Sequence, residues 1–497
     1  MSFNYLTAII FLPVLGAALI ALIPGLSDRV IRRIAAIFTL IPLGLALFLF
    51  CQFDSSLGAA GMIQFEEKLS WIPAINAYYH LGVDGLSLPL VALTTFLGLM
   101  VVLISWKINL RVREYFAWLL LLETSILGVF CSLNLLLFFI FWEIEVIPMY
   151  FLISIWGTGR KEYSATKYVL YTLFGSAMML AGILSLYFTT GSLSMIDIAQ
   201  TGIGSFTTVI PIAAIFFLLL TGFAVKLPVV PFHTWLPDAH TDAPTAGSVM
   251  LAGALIKMGG YGMIRVCVSI FPETAKAYAP ILLTLAVISV LYGAAITLRQ
   301  TDLKRMIAYS SVSHMGFVLL GVFALGQVSL TGAGLQMVSH GLLTGLLFAM
   351  AGLTMHNAKE RDLRKLGGLA RQMPVIAIIF SIAGLGSLGL PLTIGFAAEF
   401  ITFIGCFSST VVNGIQIYTI LAVLGVALAA GYILWMLQRT FYGPVKEQFN
   451  EAKDADTREK VYMFAFVALI ILGGIYPAIL TDIIKLGISP IVGFLGG

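Results

Sequence analysis

The sequence predicts an all-α polytopic membrane protein with about 14 transmembrane helices, and three observations carry that expectation. Hydrophobic residues make up 60% of the 497 positions and charged residues only 10%, against about 25% charged in an ordinary soluble domain. Apolar stretches of about 20 residues, the length that crosses a bilayer core, recur along the whole chain. The cations between them fall almost entirely in alternate connecting segments. No stretch is long and polar enough to form a separate catalytic domain, which excludes a soluble enzyme module.

Taken in order, the first span covers about 4–24 after MSFNY, which lacks a positive leader region, and it is expected to be retained. The second, about 31–51, starts beyond Arg29, Arg32 and Arg33. The third, about 84–106, opens on GVDGLSLP, where Asp84 reads as a cap or turn residue. The fourth, about 115–131, carries Glu123 in LLLLETSILGVF, and the fifth, about 133–156, carries Glu143 and Glu145 in FFIFWEIEVIPMYF. The sixth is about 165–189, and the seventh, about 207–227, runs into Lys226 and KLPVVP. The eighth, about 244–270, places Lys257 near its centre. The ninth covers about 278–298. The tenth, about 305–325, holds His314, and the eleventh, about 334–355, holds His340. The twelfth, about 374–406, is interrupted by GSLGLPLTIG ahead of Glu399, and about 414–438 and 461–484 complete the set.

Positive residues in short loops collect on the cytoplasmic side. Of the 28 lysines and arginines, 22 lie in the segments after spans 1, 3, 5, 9, 11 and 13. Lys68, Arg265, Lys276 and Lys485 fall on the other face, and Lys226 and Lys257 belong to no loop. Both termini are therefore expected on the non-cytoplasmic side. Cys51, Cys131, Cys267 and Cys406 show no CxxC spacing, and no GxGxxG or phosphate loop is present. Neither a metal site nor a cofactor is expected within the chain, no nucleic-acid partner is implied, and redox chemistry is left to partner subunits.

An ionisable residue in the bilayer costs at least about 2.5–3.5 kcal/mol and points by default to function. Each one also admits a plainer reading. Lys226, near a span end, can snorkel; His314 and Glu123 can be satisfied core residues; Lys257 lies too deep to snorkel easily. Glu143 and Glu145 sit about 200° apart on a helix and cannot share one partner. The run of acids, lysines and histidines at comparable depth in successive spans is the pattern of a proton relay or ion path.

Spans 7 and 12 each combine a Pro/Gly break with an ionisable residue. Freed backbone groups at membrane depth persist only beside protein or a water-filled cavity, so matching breaks in two halves of a transporter point to its site. The five-span spacing suggests inverted repeats. The expected division is 1–113 (helices 1–3 and loops), 114–273 (first five-helix repeat), 274–443 (second repeat) and 444–497 (a cytoplasmic loop and helix 14). The prolines after Lys226 open polar backbone there, leaving room for water or a proton partner. At 4 Å and an effective dielectric near 20, a lysine–carboxylate pair is worth about 4 kcal/mol.

FFIFWEIEVIPMYFLISIWG, FAVKLPVVPFHTWLPDAHTDAPTAGSVMLAGALIKMGGYG, DLKRMIAYSSVSHMGF and GFAAEF resemble the antiporter-like proton-channel subunits of respiratory complex I, in particular the subunit M/chain 4 family of NADH–quinone oxidoreductase. The resemblance covers about 82–443. It implies fourteen helices, inverted five-helix repeats and discontinuous helices 7 and 12. It also implies a non-redox subunit of a proton-pumping quinone oxidoreductase, moving protons outward along Lys226, Lys257, His314, His340 and Glu399. In that pattern Glu143 pairs with Lys226, Lys257 is the central lysine, the histidines connect the halves, and Glu399 lies near the exit. Glu123, Glu145, His233, Asp238 and His240 are possible accessory residues; Glu145 occurs in only some branches of the family. The implied partners are other membrane subunits, including homologous antiporter-like ones. Iron–sulfur clusters and a flavin or other electron-input site would lie in partners, with quinone bound elsewhere in a prokaryotic or thylakoid-type energy-coupling membrane. Mrp-type cation/proton antiporter subunits share many of these motifs and are the alternative.

Overall fold

A computed structural model of the chain describes residues 4–444 and 446–495. Among them are 11 helices long and apolar enough to cross a membrane, or 12 if the bent pair Thr457–Ile475 and Ala478–Phe494 is one span. Three shorter apolar helices, Ile212–Lys226, Pro374–Ser387 and Ile394–Ser408, lie among them. The chain is thus a polytopic helical membrane protein.

Burial sorts the helices into a centre and a rim. Thr245–Val268, Leu303–Phe323 and Gln327–Ala358 are enclosed almost completely, whereas Asp28–Gln52, Lys161–Thr190 and Ile415–Tyr442 turn much of their apolar surface outward. Leu170, Phe188 and Ile417 stand more than half exposed on that rim, as expected where lipid is the solvent. The three central helices carry Lys257, His314 and His340, so packing sets these groups deep in the protein. Small residues permit the close approach. A Cβ on Gly259 would come within 2.6 Å of the Phe223 carbonyl and 2.7 Å of the Leu227 nitrogen, so glycine alone lets Thr245–Val268 lie against the end of Ile212–Lys226.

Several helices that read as continuous are interrupted. The fifth span is two helices, Leu135–Ile144 and Val146–Trp156, with Glu145 at the joint. Pro148 explains the joint, because it has no N–H for the Ile144 carbonyl and its ring crowds that group. The last span bends by 71° just ahead of Pro477. The seventh and twelfth spans break as their Pro/Gly content predicts, the one between Lys226 and Trp235 and the other between Ser387 and Ile394.

One element escaped the sequence reading altogether. Gln64–Ile72 and Ala77–Val83 form an antiparallel hairpin, turned at Asn76 with φ 51°. Its Glu67 carboxylate accepts from the Leu6 nitrogen at 2.7 Å and the Thr7 nitrogen at 3.2 Å. An acidic side chain 60 residues away thereby caps the first helix, whose Asn4 makes no side-chain cap.

Candidate functional site

The helix Ile212–Lys226 stops where Pro228 can no longer donate. The loosened backbone is held from outside the helix: Trp235 Nε1 donates to the Val225 carbonyl at 2.9 Å, and the Val230 nitrogen donates to Ser289 Oγ at 3.2 Å. Lys226 ends the helix with its ammonium near the carbonyl end of the dipole and only 1% exposed.

The carboxylate that meets it is Glu145, not Glu143 as the resemblance implies. Glu145 is fully buried, pairs with Lys226 through one oxygen and accepts from the Tyr168 hydroxyl through the other. Trp142 and Tyr168 present their rings to the ammonium at 5.5 and 5.6 Å, a cation–π setting. The two acids stand about 200° apart around a helix, so only one of them can meet Lys226, and that one is Glu145. Glu143 is left half-buried, with one carboxylate oxygen lacking a hydrogen-bond partner.

Lys257 sits between two π-helical segments, Leu251–Leu255 and Met263–Val268. Such segments widen a helix and recur at functional positions. Its buried ammonium donates to the Ala252 carbonyl and lies 2.7 Å from His340 Nδ1. The His340 ring is 5.7 Å from that of His314. His314 Nδ1 is 3.3 Å from Glu399, and its Nε2 lies 3.2 Å from Ser387 Oγ and 3.4 Å from the Tyr432 hydroxyl. Either tautomer of His314 therefore finds a partner.

A cavity of about 10 Å³, room for one water, is lined by His314, Gln336, Ser339, His340, Ser387 and Glu399, among others. Gln336 Oε1, Ser339 Oγ and His340 Nε2 are buried without protein partners, the condition that an ordered water satisfies. Gly389, at φ +83°, closes over Glu399, whose Oε2 would lie 3.0 Å from a Cβ there. Lys257, His340, His314 and Glu399 are thus continuous within hydrogen-bonding or single-water reach. Lys226 and Lys257 lie on helices that touch at Gly259, and no hydrogen bond joins the two among the described residues.

The accessory candidates scatter. Asp238 is held by Lys167 at 2.7 Å and by Arg305 at 3.3 Å. His233 stands edge-on to Tyr292, and His240 stacks on Phe348 at 4.5 Å. Glu123 is buried against Gly98 with one oxygen unpartnered.

Two cations counted as loop residues are in fact buried in helices. Arg265 pairs with Asp84, which also caps its helix through the Leu86 and Ser87 nitrogens at 3.0 and 2.9 Å. Lys304 donates to the Ala243 carbonyl at 2.7 Å. Its place in a helix's first turn, where the dipole disfavours a cation, was the available signal. Tyr168, Ser387 and Tyr432 carried no such mark. Among the described residues no group of three or more His, Cys, Asp or Glu is placed to hold a metal ion.

Fold and site together define a polytopic helical membrane protein of antiporter-like build, with acids, lysines and histidines buried between its central helices. Residues 132–425 match the family described as NADH:quinone oxidoreductase/Mrp antiporter, transmembrane, and the chain belongs to that family. It is 41% identical over 485 residues to a NAD(P)H-quinone oxidoreductase chain 4 of Synechococcus elongatus, covering 97% of this chain and 90% of the relative. It is 38% identical over 506 residues to NADH-quinone oxidoreductase subunit M of Rhodobacter capsulatus, covering 98% and 96%. Its fold superposes on a chain of respiratory complex I from Thermus thermophilus with TM-score 0.86 at 27% identity, covering 99% and 100%. A chain of the Mrp complex from a Dietzia species shares the fold, with TM-score 0.86 at 19% identity and full coverage of both.

Proposed function

We propose that this chain is the proton-translocating subunit M/chain 4 of a complex I-like quinone oxidoreductase, and that it moves protons along Lys226, Lys257, His340, His314 and Glu399. The observation that carries the reading is the linkage at the centre, where the Lys257 ammonium lies 2.7 Å from His340 and a water-sized polar cavity joins His340 to His314 and Glu399. One hydrogen bond separates the Lys257 nitrogen from the His340 ring, so a proton can pass from lysine to histidine when a neighbouring charge moves. Glu145 and Lys226 form the switching pair at the near end of the row, with Glu143 beside them.

Counting each broken or bent pair as one span raises the number from eleven to fourteen. The breaks after Lys226 and after Ser387 stand five spans apart, which supports two inverted repeats, 114–273 and 274–443, flanked by 1–113 and 444–497. Both termini then lie on the non-cytoplasmic side. The chain does no redox chemistry itself. Electron input, iron–sulfur clusters and quinone belong to partner subunits, and coupling is electrostatic through its neighbours in the membrane.

Identity near 40% to quinone oxidoreductase subunits over nearly the whole chain favours this reading over an Mrp-type antiporter. The test is Lys257→Ala in the assembled, reconstituted enzyme. Quinone reduction stays measurable while protons moved per electron fall. An unchanged ratio removes Lys257 from the path and overturns the reading.

A further inference from the structure

Lys257 and His340 are sealed inside the protein, so a proton reaching them must cross a defined stretch of it. On the face bearing the basic loops, a cavity of about 160 Å³ with polar and apolar walls opens between five helices. It is lined by Ser105, Lys107, Tyr115, Thr245, His356 and Glu459, among others. At about 30 Å³ per molecule of liquid it has room for several waters. Its rim is fixed, because Glu459 and Asp456 hold the Lys107 ammonium at 2.6 and 3.0 Å, and the Tyr115 hydroxyl lies 2.8 Å from Ser105 Oγ.

The inner wall leads toward the charged row. Thr245 and Ala246 begin the Lys257 helix, and Ala349 and Gly352 belong to the His340 helix. Phe348, next to Ala349, lies flat against the His240 ring at 4.5 Å. His240 is completely buried, and both its ring nitrogens lack protein hydrogen-bond partners. An unpartnered buried ring of this kind is one that a water can satisfy. Along the same helix His356, Phe348, Thr344 and His340 follow an i, i+4 ridge. Phe348 stands two turns, about 12 Å, from His340, and Thr344, midway, lines the cavity shared by His314 and His340.

We propose that this vestibule is the proton intake for the centre of the row, with His240 relaying between its water and the Lys257–His340 pair. The inference rests on the proton-translocating reading. His240 accepts a proton on one ring nitrogen and releases one from the other. It ends neutral, in the opposite tautomer, with no other reactant.

The test uses the assembled enzyme in proteoliposomes with exposed Cys51 replaced, Cys51→Ser. Leu353→Cys, at the vestibule wall, is treated with a charged methanethiosulfonate from each side, and protons moved per quinone reduced are compared before and after. The thiol reacts from the basic face and the ratio falls. Gln448→Cys, on the same face but outside the vestibule, reacts without changing it. His240→Phe keeps the stack on Phe348 and removes the nitrogens, and it too lowers the ratio in assembled enzyme. Complete labelling of Leu353→Cys with an unchanged ratio, or no labelling from the basic face, overturns the intake. If Lys257→Ala still abolishes pumping in that preparation, the intake alone has failed. If Lys257→Ala pumps normally, the proton-translocating reading has failed with it.

Discussion

Neutralising Glu145 strands Lys226, and the cost follows from their burial. The pair is 0% and 1% exposed, so Glu145→Gln leaves a buried ammonium with two aromatic faces and no carboxylate in contact. Removing one partner of a buried ion pair costs about 3–5 kcal/mol, a large share of the stability of any single chain. Glu143 has no such partner, and one of its oxygens already lacks a hydrogen bond. Glu143→Gln therefore costs no more than about 1 kcal/mol. The double variant Glu145→Gln/Lys226→Met removes both charges and recovers most of the loss, giving a coupling of about 3 kcal/mol. The assay is thermal loss of assembled complex on native gels, run for both single variants, the double variant, and the matching Glu143 cycle. Larger coupling to Lys226 from Glu143 than from Glu145 refutes the assignment of the ion pair.

Three further outcomes are expected. Gly389→Ala forces a side chain into φ +83° and against Glu399; it costs about 1–3 kcal/mol in thermal stability and lowers protons moved per electron. Gly259→Ala pushes the Lys257 helix off the Phe223 carbonyl, so the yield of assembled complex falls, as read by native gel. Burial holds His80, in the hairpin, below its usual value of 6.5 against the upward pull of Glu66. The neutral ring is therefore favoured in the folded state, and its contribution is present above about 6.5 and lost as pH falls through the lowered value. His80→Gln flattens that part of the pH dependence of thermal stability.

The membrane class and the two broken spans were legible because bilayer length, proline and glycine act locally. Depth was legible too: Lys257, His314, His340 and Glu399 stood out as charges that lipid would reject. Partnership was harder to read. Glu143 and Glu145 differ by two positions, and the choice between them turns on which face of the helix packs toward Lys226, a tertiary detail that a motif does not carry. Arg265 and Lys304 read as loop cations because their partners, Asp84 and the Ala243 carbonyl, are brought to them by tertiary packing. The hairpin was hidden for a similar reason, its Glu67 serving a helix far away in sequence.

Proton transfer through the chain depends on a continuous polar route from Lys257 through His340 and His314 to Glu399. The most direct measurement is an experimental density map of the assembled complex, fine enough to show ordered water. The expected map has the Lys257 amine on His340 and a water bonded to His340 Nε2 between the histidines and Glu399. An amine turned toward lipid, or apolar side chains filling the space between His340 and Glu399, would contradict it.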